Sequence, residues 1–213
     1  MQNDELFQYD SFPIPQPEDQ ENDDAGTPIE TVDADGKRQL IGYAVVWGAV
    51  SSVMRDGFKH RFARGSIKWQ TPTAALWHHD YASPLGSTSN STLTISEDEH
   101  GVKVVIDLDA TTDGTNAFTR VKNKQVSGMS FGGRRLAYDR TDDPKIIDII
   151  SFVADEVSVT MVPAMSETIV TTAGQKEDLQ KSVETKKDFA MQMQKMKLDK
   201  IKLSMLKPSR VFG

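Results

Sequence analysis

The chain has no cysteine. That excludes a thiol nucleophile, a disulfide framework and thiolate metal sites, and it suits a reducing compartment. Long apolar runs are missing too. None approaches the roughly 18–20 residues that span a bilayer, and Met1 leads into acidic sequence rather than a basic-then-apolar leader. The expectation is a soluble, unsecreted chain with no membrane contact. Glycine signatures of phosphate loops and dinucleotide folds are absent, as is any repeat of about 20–50 residues, so no cofactor is expected. Histidine is scarce: His60, His78, His79 and His100 are all there are, which leaves few bases for proton transfer near neutral pH.

Positive charge is also missing where it would balance the start of the chain. Residues 1–36 hold eleven Asp and Glu and no Lys or Arg, a charge of −11, with Pro13, Pro15 and Pro17 spaced by two. Such a segment cannot bury enough apolar surface to offset its ordering entropy and reads as a disordered acidic arm. Residues 175–213 hold ten Lys and Arg against five Asp and Glu, or +5. The whole chain carries −6, so the stretch between the two ends is neutral. Three parts follow: an arm over 1–36, a folded domain over 37–174 and a basic helical tail over 175–213. A neutral domain offers no electrostatic footprint for nucleic acid.

What is present between the ends is dense in β-formers. Ile41-Gly42-Tyr43-Ala44-Val45-Val46-Trp47 reads as a buried strand. Residues 57–66 read as a loop leading into a short helix, and Ala74-Ala75-Leu76-Trp77-His78-His79-Asp80 as a second apolar strand that Pro84-Leu85-Gly86 breaks. Residues 92–96 and 101–109 pair as a hairpin, the second strand keeping a period of two with Val105 as its exception. Asp113 is placed to cap a helix to about residue 124 that buries Phe118 and Val121. A further hairpin joins 134–140 to 145–153, then comes a strand through Glu156-Val157-Ser158-Val159-Thr160, and 169–172 adds a last one. Seven or eight strands with one or two helices predict an α+β domain. Its sheet is expected to be mainly antiparallel, closed or nearly closed into a barrel, with helices outside.

From Gln175 the period changes to that of a helix. Met191, Leu198 and Met205 recur every seven residues, as do Phe189, Met196 and Leu203, on a different side. The apolar surface is broad and methionine-rich, suited to a partner helix first and to packing on its own domain second.

One stretch carries the chemistry. In Val126-Ser127-Gly128-Met129-Ser130-Phe131-Gly132-Gly133, a strand would turn Met129 and Phe131 one way and Gly128, Ser130 and Gly132 the other. Glycines beside Ser130 clear bulk from around its hydroxyl. Serine is a packed small residue or a nucleophile there, and a nucleophile needs a base and a group to orient the base. His100 sits at a hairpin tip amid acidic residues and His60 between Lys59 and Arg61, so both read as solvated. His78 and His79 remain, on opposite sides of a continuing strand, and local pattern does not choose between them. Glu156 shares the polar face of its strand with Ser158 and Thr160, while Asp155 falls in phase with Val157 and Val159. Glu156 is therefore the favoured third group, with pairing to Arg134 or Arg135 as its competing role. A metal site at His78, His79 and Asp80 is disfavoured, because neighbours on a strand diverge and no second ligand cluster exists.

Taken together, several stretches resemble one family. Gly42-Tyr43-Ala44-Val45-Val46-Trp47 and Phe62-Ala63-Arg64-Gly65-Ser66-Ile67 are similar to its opening strand and helix entry. Leu76-Trp77-His78-His79-Asp80 with Pro84-Leu85-Gly86 resembles its histidine motif, and Val126-Ser127-Gly128-Met129-Ser130-Phe131-Gly132 its serine motif. Glu156-Val157-Ser158-Val159-Thr160 with Pro163-Ala164 resembles its closing motif. Over about residues 38–172 the order and spacing are similar to tailed-phage prohead (capsid maturation) serine proteases, a family related in fold to the herpesvirus assemblins.

That resemblance implies His79, which precedes the aspartate, as base, Ser130 rather than Ser127 as nucleophile, and Glu156 as orienting group. The family often has an aromatic or apolar residue where this chain has Gly133, followed here by Arg134-Arg135. Arginine aids oxyanion stabilisation in the assemblin-like relatives, which implies Arg134 or Arg135 for that role. Implied partners are the major capsid protein, a scaffold and the protease itself as substrates, within a procapsid assembling in the host cytoplasm, and a homo-oligomer is compatible. The other reading is a non-enzymatic capsid-assembly or scaffold-binding protein on the same fold.

Overall fold

Runs of β-formers with no polar phase become inner strands. In the computed structural model, which describes residues 38–205, β1 (Gln39–Val46) is buried from its second residue to its last. It lies between β10 (Ile169–Thr172) and β7 (Gly101–Asp107), antiparallel to both, and β6 (Leu93–Glu97) completes a four-stranded sheet in the order β10-β1-β7-β6. The acidic arm expected over 1–36 lies outside the described residues.

A second sheet is built on one long strand, β9 (Ile146–Thr160). β8 (Gly128–Arg140) runs antiparallel along it from Gly128 opposite Thr160 to Arg140 opposite Ile147. β3 (Lys59–Phe62) and then β4 (Ile67–Trp77) run parallel to it, Phe62 opposite Ile149 and Trp77 opposite Val159. β2 (Val50–Val53) and β5 (Asp80–Ser87) lie outside these, giving the order β2-β3-β9-β4-β5 with β8 added on β9. The main core fills the space between the sheets. Leu40, Val45 and Val104 of the first sheet, Met129, Ile147 and Val157 of the second, and Phe118 of helix α1 (Thr112–Lys122) share it. On the far face of the first sheet, Ile41, Tyr43 and Val46 pack with Ala173 and with Leu179 and Val183 of helix α2 (Lys176–Met205).

The mostly-strand α+β class is as expected, with several corrections. No sheet closes into a barrel: β5 and β6 end their sheets, and Pro84, which has no N–H to give a ladder, sits on β5, as an outer strand tolerates. The second sheet is mixed, because β9 takes β3 and β4 in parallel. Residues 57–66 hold no helix; β3 passes through a turn at Gly65 (φ 79°) straight into β4, and Pro84-Leu85-Gly86 continues β5 rather than ending it. The expected separate strands over 126–140 and 145–160 are two continuous ones. The α1 N-cap is Thr111, whose hydroxyl accepts from the Gly114 amide, with Asp113 in the first turn. Phe118 and Val121 are buried as expected.

The start of α2 packs on its own domain through Leu179, the role ranked second from sequence. Farther on, Met191, Met193 and Met196 are exposed. The side chains of Phe189, Leu198, Leu203 and Met205 lie outside the described residues.

Candidate active site

The histidines occupy a hairpin turn. Trp77 and Asp80 pair across β4 and β5, leaving His78 and His79 as a two-residue loop with φ of 53° and 64°. Positive φ at both central positions is the type I′ pattern, whose twist matches that of the flanking strands. The strand does not continue through them, so they do not diverge as strand neighbours would. Both reach β9: His78 Nδ1 lies 3.1 Å from Thr160 Oγ1, and His79 Nδ1 lies 2.8 Å from Glu156 Oε1.

β9 presents Glu156, Ser158 and Thr160 on one face at period two. Glu156 is buried, and both of its carboxylate oxygens are engaged. Oε1 accepts from His79, and Oε2 accepts from the Ser158 hydroxyl at 2.6 Å. The Ser158 oxygen in turn accepts from the His79 amide at 3.1 Å. Ser158 therefore ties the carboxylate and the histidine backbone together from a fully buried position. It was visible in the sequence as a member of the Glu156 face, without a role. Glu156 makes no ion pair with Arg134 or Arg135 among the described residues.

A carboxylate only accepts, so His79 Nδ1 carries the proton and Nε2 keeps a lone pair. His79 is open to solvent at 42% side-chain exposure, while Glu156 at 5% is not. This is an imidazole with a fixed tautomer, held by a buried carboxylate and facing outward, an arrangement able to accept a proton at Nε2. Burial, with the charges of His79 and Arg120, holds His78 below the usual histidine range.

Ser130 lies one strand away. It is the cross-strand partner of Ser158, which puts it on the same face, and Gly132 is the partner of Glu156. A Cβ on Gly132 would collide with Glu156 Oε1, so the missing side chain is the space the carboxylate fills. At the next residue β9 bulges: Gly132 faces Glu156 and Gly133 faces Ala154, which leaves Asp155 as the extra residue. A Cβ on Gly133 would meet the Val153 carbonyl, which accounts for a glycine at this position. The structure thus brings His79 and Glu156 into contact and sets Ser130 on the adjoining strand. Among the described residues the Ser130 hydroxyl has no hydrogen-bond partner, so its link to His79 is not made.

Arg135 and Arg134 part company here. Arg135 lines a cleft of about 640 Å³ together with His79, Gly132 and Gly133, whereas Arg134 is exposed and does not line it. Arg135 Nη1 donates to Asp56 Oδ2, and Asp56 also pairs with His60 Nε2 at 2.8 Å. Burial works to raise the Asp56 pKa, but hydrogen bonds from His60, the Phe58 amide and Arg135 outweigh it and hold the carboxyl low. His60, expected in solvent, is buried instead. It shares the inward phase of β3 with Phe62, and only its neighbours Lys59 and Arg61 point outward.

A family model described as caudovirus prohead serine protease matches residues 26–183. A comparison with curated proteins finds no match. Among solved structures, KSHV protease in complex with a hexapeptide phosphonate inhibitor is similar at 9% identity and a TM-score of 0.32, over 62% of this chain and 63% of that one. The chain thus spans less than two thirds of the length of that protein.

Proposed function

The chain belongs to the caudovirus prohead serine protease family, and from that premise we propose that it is a serine endopeptidase with Ser130 as nucleophile, His79 as base and Glu156 as orienting group. The observation that carries this reading is the His79–Glu156 contact at 2.8 Å, made beside the strand of Ser130 and buttressed by Ser158. When a peptide enters, His79 Nε2 takes the Ser130 proton as Oγ bonds to the scissile carbonyl carbon. The same proton passes to the leaving amine as the C–N bond breaks, and water resolves the acyl-enzyme by the reverse sequence. Glu156 holds the imidazole in its tautomer and stabilises the imidazolium. Arg135, rather than Arg134, is the better placed of the two arginines to face a developing oxyanion, since it lines the cleft with Gly132 and Gly133.

The substrates in this reading are the major capsid protein or its scaffold-like region, a scaffold protein and the protease itself, cleaved within an assembling procapsid in the host cytoplasm. Residues 37–174 act as the protease domain, 1–36 as an acidic arm, and the exposed methionines of α2 as part of a tail that docks on scaffold. Leu179 and Val183 belong to the domain's packing, so removal of 186–213 tests the tail alone, with loss of encapsidation expected and unchanged encapsidation refuting the role. The non-enzymatic assembly reading draws on the unpartnered Ser130 hydroxyl.

Co-expression with the cognate capsid protein, wild type against Ser130→Ala and read by intact mass, separates the two. Truncated capsid protein with wild type alone supports the protease. Full-length capsid protein in both, together with no fluorophosphonate adduct on Ser130, supports the assembly role.

A further inference from the structure

The cleft beside His79 extends past the groups that the proposed chemistry uses. Its inner wall is apolar. Phe62, Phe131 and Phe152 meet edge to face, with centroids 5.2, 5.5 and 5.3 Å apart, and Met54 and Met165 close the space around them. Asp56 and Ser51 are engaged within the wall: Asp56 takes Arg135 and His60, and Ser51 Oγ accepts from the His60 amide while donating to the Ser52 carbonyl. The charged lining groups are engaged rather than free: Asp56 is bonded to Arg135, and Arg55, which also lines the cleft, has an interaction of its own, so neither a carboxylate nor an ammonium finds an unpaired counter-charge there. An apolar side chain gains instead by leaving water for the aromatic wall. At about 640 Å³ the cleft falls within the ~300–1,000 Å³ of pockets that enclose a small ligand, enough for one aromatic side chain and its flanking backbone.

The strand that carries the nucleophile fixes where such a side chain would come from. Phe131, Gly132 and Gly133 follow Ser130 directly on β8, and all three line the cleft. Ser130 itself lies outside the lining, but Gly132, which shares its face of β8, and His79 both stand at the edge of the cleft, so a peptide held between His79 and Ser130 has an adjacent side chain within reach of it. Resting on the reading of Ser130 as nucleophile, we propose that this cleft is the specificity pocket for the substrate residue beside the cleaved bond, and that it selects a large apolar side chain such as Leu, Met or Phe.

The test uses the full chain with ¹³C-methyl methionine, titrated with the N-acetyl amides of phenylalanine, leucine, glutamate and lysine. The Met54 and Met165 methyl signals are expected to shift saturably with the phenylalanine and leucine amides, at affinities at least roughly tenfold above those of the charged amides. The exposed Met191, Met193 and Met196 serve as references that stay fixed, and Ser130→Ala is expected to bind as wild type does. Unmoved Met54 and Met165 signals would overturn the proposal. Tighter binding of the glutamate amide would also do so, by making Arg55 and Arg135 the selecting groups. Fluorophosphonate labelling of Ser130, read separately by mass, keeps the two failures apart: labelled Ser130 with unmoved methionines leaves the protease and removes the pocket.

Discussion

Replacing Gly132 by alanine adds one carbon directly against the Glu156 carboxylate. The new Cβ would overlap Glu156 Oε1 and stand 3.1 Å from its Cδ and 3.3 Å from its Cγ. To restore ordinary contact the carboxylate must retreat by roughly 1 Å. That shift disturbs the 2.8 Å contact of Oε1 with His79, and the 2.6 Å bond from Ser158 is strained as well. Burial denies Glu156 replacement partners from solvent. Freeing the base from its orienting carboxylate costs on the order of 10²–10⁴ in kcat, by analogy with the loss of a triad aspartate. Stability changes much less. Alanine regains about 0.5–1 kcal/mol of backbone entropy relative to glycine, against about 1–3 kcal/mol for the disturbed buried carboxylate. The Tm should therefore fall by only a few degrees. The assay is kcat/KM on a peptide spanning a cleavage site mapped by co-expression, beside calorimetry of the same preparation. Gly132→Ala and Glu156→Gln should lose activity to a similar degree, and the double variant little more than either. Turnover within about threefold of wild type in a normally folded Gly132→Ala protein would refute the role given to Glu156.

Other outcomes follow from the same geometry. Ser158→Ala removes the hydroxyl that donates to Glu156 and accepts from His79, and should lower kcat by roughly tenfold with KM little changed; an unchanged kcat would make Ser158 a packing residue only. Arg135→Lys keeps the charge and loses the fork; a fall in kcat supports the oxyanion role, whereas a rise in KM alone assigns Arg135 to substrate binding. Folding depresses the His78 pKa, so the unfolded chain binds that proton first. The stability His78 lends is complete above its unfolded pKa of about 6.5 and is lost as pH falls toward the folded value. Wild-type Tm should drop more between pH 7 and 5 than that of His78→Gln, and parallel pH curves would contradict this. Leu179→Ala opens the packing of α2 on the first sheet, at a cost of about 2–5 kcal/mol, seen as lower Tm and faster proteolysis near residue 176; unchanged proteolysis would detach α2 from the domain's stability.

The site was more legible than the sheet around it. Glu156, Ser158 and Thr160 on one face, and Ser130 clear of bulk, are period-two statements that survive any pairing scheme. Choosing His79 over His78 was beyond local pattern, since a two-residue turn replaces the strand phase on which such a choice depends. That choice rests on the family resemblance; in the structure His79 lies against Glu156 and His78 against Thr160. His60 was misjudged because its charged neighbours were read as a loop, when alternation along β3 turns it inward. The Asp56–His60–Arg135 group spans 79 residues of chain, and no spacing rule sees it. Barrel closure was inferred from strand number, but closure depends on whether the outermost strands meet, which is set by long-range pairing and by Pro84 at one margin.

The placement of β9 has a consequence for timing. His79 comes from β4's turn and Ser130 from β8, and both elements pair with one strand that begins at Ile146 and ends at Thr160. A ribosome adding about 5–20 residues each second delivers the histidine hairpin and the serine strand well before the strand that joins them. Until Thr160 has left the exit tunnel, the histidine hairpin has only its β4–β5 pairing and the two elements are not joined through β9. The chain therefore carries its own delay: the His79–Glu156 contact, with Ser130 on the strand beside it, forms only once the second sheet is complete.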